Sequence, residues 1–222
     1  MIELNNVSLP RGSFYLKNIS MKIDQGGLHL LTGETGAGKT SIIEALCGLQ
    51  SVESGKIILR GVDVTDATPA ARSIGYLPQD VALFDHLTVR ENLRFSCQAR
   101  KWKPKIIRDR VEALAQSLGL ANLLDRYPSS LSGGQKHSVA FGRALAFEPD
   151  VVCLDEPFVT LDAQTRETMI DWFNAYVQEN EVTVLAVTHQ PQWLRAVATT
   201  SWSIDSRGIL AAGASMSLKV TE

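Results

Sequence analysis

Two short runs in the sequence hold the residues most able to do chemistry. The first, Gly33-Glu34-Thr35-Gly36-Ala37-Gly38-Lys39-Thr40, fits the spacing G-x-x-x-x-G-K-[ST] and lies between an apolar run and a helical pattern. At average residue usage such a match arises by chance in about one chain of this length in a hundred. The glycines let successive backbone N–H groups turn inward around phosphate oxygens, and the start of the following helix adds a favourable dipole. In this reading Lys39 reaches the β and γ phosphates of a nucleoside triphosphate. Thr40 supplies a hydroxyl to Mg2+, and Ser41 closes the loop.

The second run, Val151-Val152-Cys153-Leu154-Asp155-Glu156, ends an apolar strand pattern on two carboxylates. A metal held by Thr40 needs an acidic partner from the end of another buried strand, and Asp155 fills that role through water. Glu156 is then the candidate that orients and deprotonates an attacking water. Alone, paired carboxylates after a strand are a common solvated turn; the phosphate loop upstream makes the pair informative.

These groups need a scaffold, and periodicity supplies one. Leu28 to Leu31, Val151 to Leu154 and Val182 to Val187 are short, nearly continuous apolar runs, the pattern of parallel strands covered on both faces. Ile2 to Val7, Ile19 to Ile23 and Gly55 to Leu59 alternate instead, as in a half-exposed antiparallel sheet bounded by turns such as Pro10-Arg11-Gly12-Ser13. Helical patterns cover Thr40 to Leu49, Gly134 to Phe147 and Asp162 to Glu179. The last places Met169, Ile170, Phe173, Tyr176 and Val177 on one face, with Asp162 as its cap. From about 80 to 130 two further helical patterns, Leu87 to Cys97 and Lys105 to Leu118, stand with little strand signal. The expected fold class is therefore α/β, a P-loop NTPase (RecA-like) core with an antiparallel β subdomain. The core and β subdomain cover about 1–79 and 131–222, and an α-helical subdomain is inserted at about 80–130.

Composition narrows the function classes. With 22 Lys+Arg against 24 Asp+Glu the formal net charge is -2, which gives no electrostatic footprint for DNA, RNA or an anionic bilayer. Hydrophobic residues at 45% and charged residues at 21% allow a real core and exclude intrinsic disorder. No apolar run reaches the roughly 18 residues of a membrane helix, and the start has no basic segment followed by a long apolar one, so a soluble intracellular chain is expected. Cys47, Cys97 and Cys153 are odd in number and widely spaced, which fits reduced thiols.

Leu131-Ser132-Gly133-Gly134-Gln135 adds a third motif, LSGGQ, between the other two. With Gln79 in Tyr76-Leu77-Pro78-Gln79, Leu161-Asp162 after the acidic pair, and His189 in Val187-Thr188-His189, the chain resembles the ATP-binding subunits of ABC transporters over essentially its whole length. Gly75 to Asp80, then Leu83-Phe84 and His86 to Val89, looks most like the importer branch that includes maltose, sulfate and molybdate systems. The resemblance implies an ATPase that powers a transporter, with import favoured. Its cofactors are ATP and Mg2+, and two ATP lie between head-to-tail subunits. Partners implied are a second copy or a homologous ATPase subunit, membrane-spanning permease subunits, and through them an extracytoplasmic binding protein; no nucleic acid is expected. The place implied is cytoplasmic, attached to the membrane peripherally through the permease.

By the same resemblance Ser132, Gly133, Gly134 and Gln135 grip the γ phosphate held by the other subunit. Gln79 touches the metal or water and reports nucleotide state to the helical subdomain. His189 bonds the γ phosphate and helps position Glu156, and Asp162 crosses the dimer interface. Several positions depart from the family pattern: Ser138 for an arginine, Gly142 for an alanine, Val159-Thr160 for Ser-Ala, and Gln190 for an aspartate. The adenine contact is left among Arg11, Phe14 and Tyr15. A non-transport ABC ATPase that regulates or assembles a partner, of the cell-division or iron-sulfur type, shares the same core chemistry and is the alternative.

Overall fold

A computed structural model describes residues 1–11, 14–205 and 210–212. Its antiparallel sheet has the order β2-β1-β4-β5, from β1 (Ile2–Arg11), β2 (Phe14–Ile23), β4 (Ser54–Leu59) and β5 (Val62–Asp63). The alternating stretches read from sequence all fall in it. The first strand is longer than its alternation suggests, running through Pro10 and Arg11, which pair with Tyr15 and Phe14. Pro10 is tolerated because pairing with β4 stops at Ser8, so no N–H is required on that side.

The second sheet has the order β10-β9-β3-β8-β7-β6. Its members are β3 (Gly27–Gly33), β6 (Gly75–Leu77), β7 (Val151–Asp155), β8 (Thr183–Thr188), β9 (Ala198–Ile204) and β10 (Leu210–Ala212). The strands β9, β3, β8, β7 and β6 run parallel, and β10 returns antiparallel to β9. Every residue of β7 and β8 is buried, which accounts for their unbroken apolar character. The three-residue β6 is too short to carry a periodic signal of its own, yet its pairing with β7 delivers Gln79 beside the end of that strand.

Three helices flank the parallel sheet. The first, α1 (Lys39–Cys47), packs between the two sheets and ends at Gly48 with a left-handed φ of 77°. Arg72, from the short α2 (Pro69–Arg72), fixes that end: it is 3% exposed and its guanidinium donates to the carbonyls of Ala45, Leu46, Thr65 and Ala67. On the opposite face lie α5 (Gly133–Leu145) and α6 (Ala163–Asn180). There Met169, Phe173, Tyr176 and Val177 are buried, as the helical spacing requires.

Segment 80–130 contains α3 (Val89–Ala99) and α4 (Pro104–Ser117). Thr88 starts α3 with a reciprocal capping box to Glu91. Asn92, fully buried, shares its two N–H donors among the carbonyls of Phe84, Leu87 and Thr88 and accepts from the Phe84 N–H, so both ends of its amide are partnered. The core of this region continues into α5 and the turn after it through Val139, Ala146 and Phe147. Gly142 lies on that contact, where an added Cβ would come within 2.5 Å of Leu93 Cδ2. Its glycine is thus explained by the close approach of α5 to α3. No helix among the described residues is long and apolar enough to cross a membrane.

Candidate active site

The phosphate-loop sequence forms the turn between β3 and α1. Gly33 has φ 154° and Gly38 φ 106°; a Cβ would meet the Ile204 carbonyl at 2.2 Å in the first case and Leu16 Cδ1 at 2.7 Å in the second. No side chain caps the start of α1, so its first N–H groups stay open to a ligand. The Lys39 ammonium folds along the loop, donating to the carbonyls of Gly33 at 2.8 Å and Glu34 at 2.9 Å. Those bonds hold a cation, 7% exposed, where an anion would enter.

A narrow cleft of about 130 Å3 opens here, lined by Thr35, Gly36, Gly38, Lys39, Thr40, Gln79, Asp155, Glu156 and His189. Four segments far apart in sequence thus meet at the C-terminal ends of parallel strands, where open α/β sheets bind ligands. Of the remaining loop residues, Ala37 and Ser41 are buried, while Gly33 and Glu34 contribute the carbonyls that hold Lys39.

Asp155 is 2% exposed, and burial raises its carboxyl above the usual range, opposed by the Thr40 hydroxyl. The arrangement sets one poorly solvated carboxylate, a hydroxyl and the Gln79 amide around a single opening. This hard all-oxygen set suits Mg2+, which binds through one or two protein ligands, several waters and substrate phosphates. Among the described residues there is no cluster of three or more His, Cys, Asp or Glu that could hold a metal ion by itself.

Glu156 is held more tightly than any neighbour. It sits in the left-handed region at φ 49° and is 8% exposed, with its N–H bonded to the Val187 carbonyl. Oε1 accepts from the His189 N–H at 2.9 Å and lies 2.7 Å from His189 Nδ1; Oε2 accepts from the Thr188 hydroxyl at 2.8 Å. Gln190 completes the network. Its N–H donates to Thr188 Oγ1 at 2.9 Å, and its amide nitrogen lies 3.1 Å from His189 Nε2. A carboxylate oxygen only accepts, so Nδ1 carries a proton directed at Glu156. Sequence reasoning missed Thr188 as a site residue and noted Gln190 only as a departure. Their one signal was position, directly before and after His189 at the end of a buried strand.

Gln79 leads into a strained turn, with Val81 at φ 65° and Ala82 at φ 41°. Arg143 of α5 grips this turn, donating to the Ala82 and Val81 carbonyls at 2.6 and 3.1 Å. The LSGGQ segment itself lies outside the cleft, at the other end of the same helix. Ser132 is its N-cap: the Ser132 hydroxyl accepts from the Gln135 N–H, and Gln135 Oε1 accepts from the Ser132 N–H. Gly133 and Gly134 form its first turn, whose N–H groups lack intrahelical acceptors. Asp162 caps α6 by accepting from the Thr165 N–H, which holds its carboxyl below the usual range. Ser138 back-bonds to the Gly134 carbonyl at 3.2 Å, away from the cleft. For the adenine contact, the side chains of Arg11 and Phe14 lie outside the described residues. The Tyr15 hydroxyl donates to Glu53.

Comparison with known proteins agrees with this geometry. The model of a family described as ABC transporter matches residues 16–159. The chain is 41% identical over 198 residues to the sulfate/thiosulfate import ATP-binding protein CysA of Synechococcus elongatus, covering 89% of this chain and 58% of that one. It is 38% identical over 189 residues to the molybdate/tungstate import ATP-binding protein WtpC of Thermococcus kodakarensis, covering 85% and 57%. It thus spans less than two thirds of the length of these relatives. Among solved structures, a dimeric bacterial ABC transporter cassette superposes with a TM-score of 0.85 at 25% identity, covering 96% of this chain and 98% of that one. The expected α/β P-loop architecture with its antiparallel sheet is therefore the observed one.

Proposed function

Because the chain belongs to the ABC transporter family, we propose that it binds and hydrolyses ATP to power import through a separate membrane permease, working as a head-to-tail dimer. One observation carries the reading: the phosphate loop, Gln79, the Asp155-Glu156 pair and His189 line a single cleft, although sequence separates them by more than a hundred residues. The names of the relatives make import of a small oxyanion the first system to test.

In the proposed reaction the loop N–H groups and Lys39 bind the β and γ phosphates once the ammonium leaves the Gly33 and Glu34 carbonyls. Thr40, Asp155 and Gln79 would hold Mg2+, which when bound supplies charge neutralisation for the phosphates. Glu156 positions water and takes its proton. Oε1 already accepts two bonds, so Oε2, which accepts only from Thr188, is the oxygen with a lone pair to spare. His189 orients that carboxylate through its N–H and Nδ1 contacts with Oε1. The Ser132–Gln135 turn of the second subunit supplies further N–H donors to the γ phosphate, and Asp162 lies at the subunit boundary. Segment 80–130 acts as the lobe that meets the permease, with Arg143 connecting the turn after Gln79 to the LSGGQ helix.

Glu156→Gln is the direct test. Phosphate release, measured with the assembled transporter, is expected to fall by roughly a hundredfold to ten-thousandfold while ATP binding persists. Hydrolysis at the wild-type rate would remove Glu156 as the base. Co-purification with a soluble scaffold in place of a permease would favour the regulatory alternative.

A further inference from the structure

The chain as a whole carries a formal charge of -2, but that average conceals a strongly polarised segment. From Arg90 to Arg110 the sequence holds eight basic side chains and two acidic ones, a local excess of six positive charges. This stretch is the hairpin formed by α3, the turn 100–103 and α4. Two of the eight are used internally: Arg100 stacks over Phe147 at 3.4 Å, and Arg110 donates to the Leu145 and Ala146 carbonyls. Of the others, Lys101, Lys103, Lys105 and Arg108 are exposed, and Arg90 and Arg94 are partly so. The three lysines form no ion pair with any described residue.

Apolar groups are interleaved with them. Ile106 is 50% exposed, and half-buried Trp102 stands between two cavities. The outer cavity, about 590 Å3, is bordered on the tip side by Lys101, Trp102, Lys103 and Ile106 and on the other by Asp109, Arg110 and Glu148, the last two an ion pair at 3.4 Å. The inner cavity, about 490 Å3 between α3 and α4, is lined by Arg90, Arg94 and Arg108 with Gln98 and Trp102, and no carboxylate borders it. Each of the three guanidiniums meets one outlying carboxylate, Asp125, Glu91 or Asp109, at 3.3 to 3.6 Å; such exposed contacts orient a side chain more than they neutralise it. Arg94 Nε is buried with no hydrogen-bond partner among the described residues. The turn is firm, with Lys101 and Trp102 donating to the Gln98 and Cys97 carbonyls and Pro104 opening α4.

We propose that this hairpin tip is a docking surface for an anionic phospholipid bilayer. The lysines and the three-arginine cavity attract headgroup phosphates, and Trp102 and Ile106 enter the interface. Clustered basic side chains beside an amphipathic helix with an interfacial tryptophan have the charge and polarity such a surface requires. A site for one small anion would not need three additional unpaired lysines around exposed apolar groups. The inference rests on the placement beside a membrane proposed above but not on ATP chemistry.

The test is co-sedimentation of the purified 222-residue chain with vesicles of phosphatidylcholine alone, or of phosphatidylcholine mixed with phosphatidylglycerol, at low and high salt. Binding is expected only to the mixed vesicles, weakening as salt rises and shifting Trp102 emission to shorter wavelength; Trp102→Phe removes the shift. The triple change Lys101→Glu, Lys103→Glu, Lys105→Glu should weaken binding by roughly a hundredfold, at about one kcal/mol per lysine, with ATP binding unchanged. Equal binding to both vesicle types, no binding to the mixed vesicles at low salt, or an undiminished triple variant would each overturn the proposal. Binding to polyglutamate without binding to the vesicles would also overturn it and assign the surface to an acidic protein segment. Loss of ATP binding by the wild type would instead count against the proposed function alone.

Discussion

The phosphate-loop cleft and the LSGGQ helix start differ in how their polar groups are held. In the cleft the charged side chains are tied down, Glu156 through both carboxylate oxygens and Lys39 through the loop carbonyls, while the start of α1 carries no side-chain cap. At Ser132 the bonds among the described residues are local, a cap around an exposed helix start. Both helix starts present N–H donors, but only that of α1 lies in the cleft. The contrast is also electrostatic, since the cleft buries carboxylates while the α3–α4 tip displays cations.

The largest effect that would sharpen this contrast is expected from Ser132→Arg. It should cut hydrolysis by the assembled dimer about a hundredfold or more, leave ATP binding by a single chain intact, and cost about 1 kcal/mol of stability through the lost cap. Equal loss of ATP binding in the isolated chain would show that the two regions are not separate halves.

A smaller effect concerns Asp155, whose ionised form is penalised by burial. Its raised pKa means that the folded chain holds a proton where the unfolded chain has lost one. Its contribution to stability therefore falls as pH rises from about 3.8 through the folded pKa. Asp155→Asn should raise the metal-free Tm at neutral pH, by about 2–4 °C for each kcal/mol relieved, and should remove that part of the pH dependence. It should also abolish metal-dependent turnover. A lower Tm would mean that the charge is compensated within the fold. The smallest effect is expected from Gly142→Ala. Helix propensity favours alanine by about 1 kcal/mol, but the crowding against Leu93 costs about 1–3 kcal/mol, so thermal melts should record a modest net loss.

Much of this was legible in sequence, because the signals were local. The phosphate loop announces itself through glycine spacing, Asp162 through its position before a helical pattern, and β3, β7 and β8 through apolar runs that only a doubly covered strand can bear. Less visible were features set by distant partners. Gly142 reads as a propensity defect until Leu93 is placed beside it. The three-residue β6 has no period to detect. Gln190 reads as a substitution until its amide is seen against His189 Nε2. The even overall charge likewise suggested no anionic-surface partner, because averaging hides a patch that a helical hairpin concentrates.

By itself, then, the sequence determined which groups are available and in what local frame: a glycine-rich turn before a helix, two carboxylates closing a buried strand, a serine able to cap. Spacing along one chain specifies such short-range geometry because backbone sterics and hydrogen bonding act over a few residues. Only the tertiary structure decided which of them meet. Parallel pairing of β3, β8, β7 and β6 brings Lys39, His189, Glu156 and Gln79 to one edge. The same packing turns the LSGGQ helix start away from it and leaves the basic hairpin tip exposed. Those choices follow from burying two faces of one sheet, a global requirement that no local run of residues encodes.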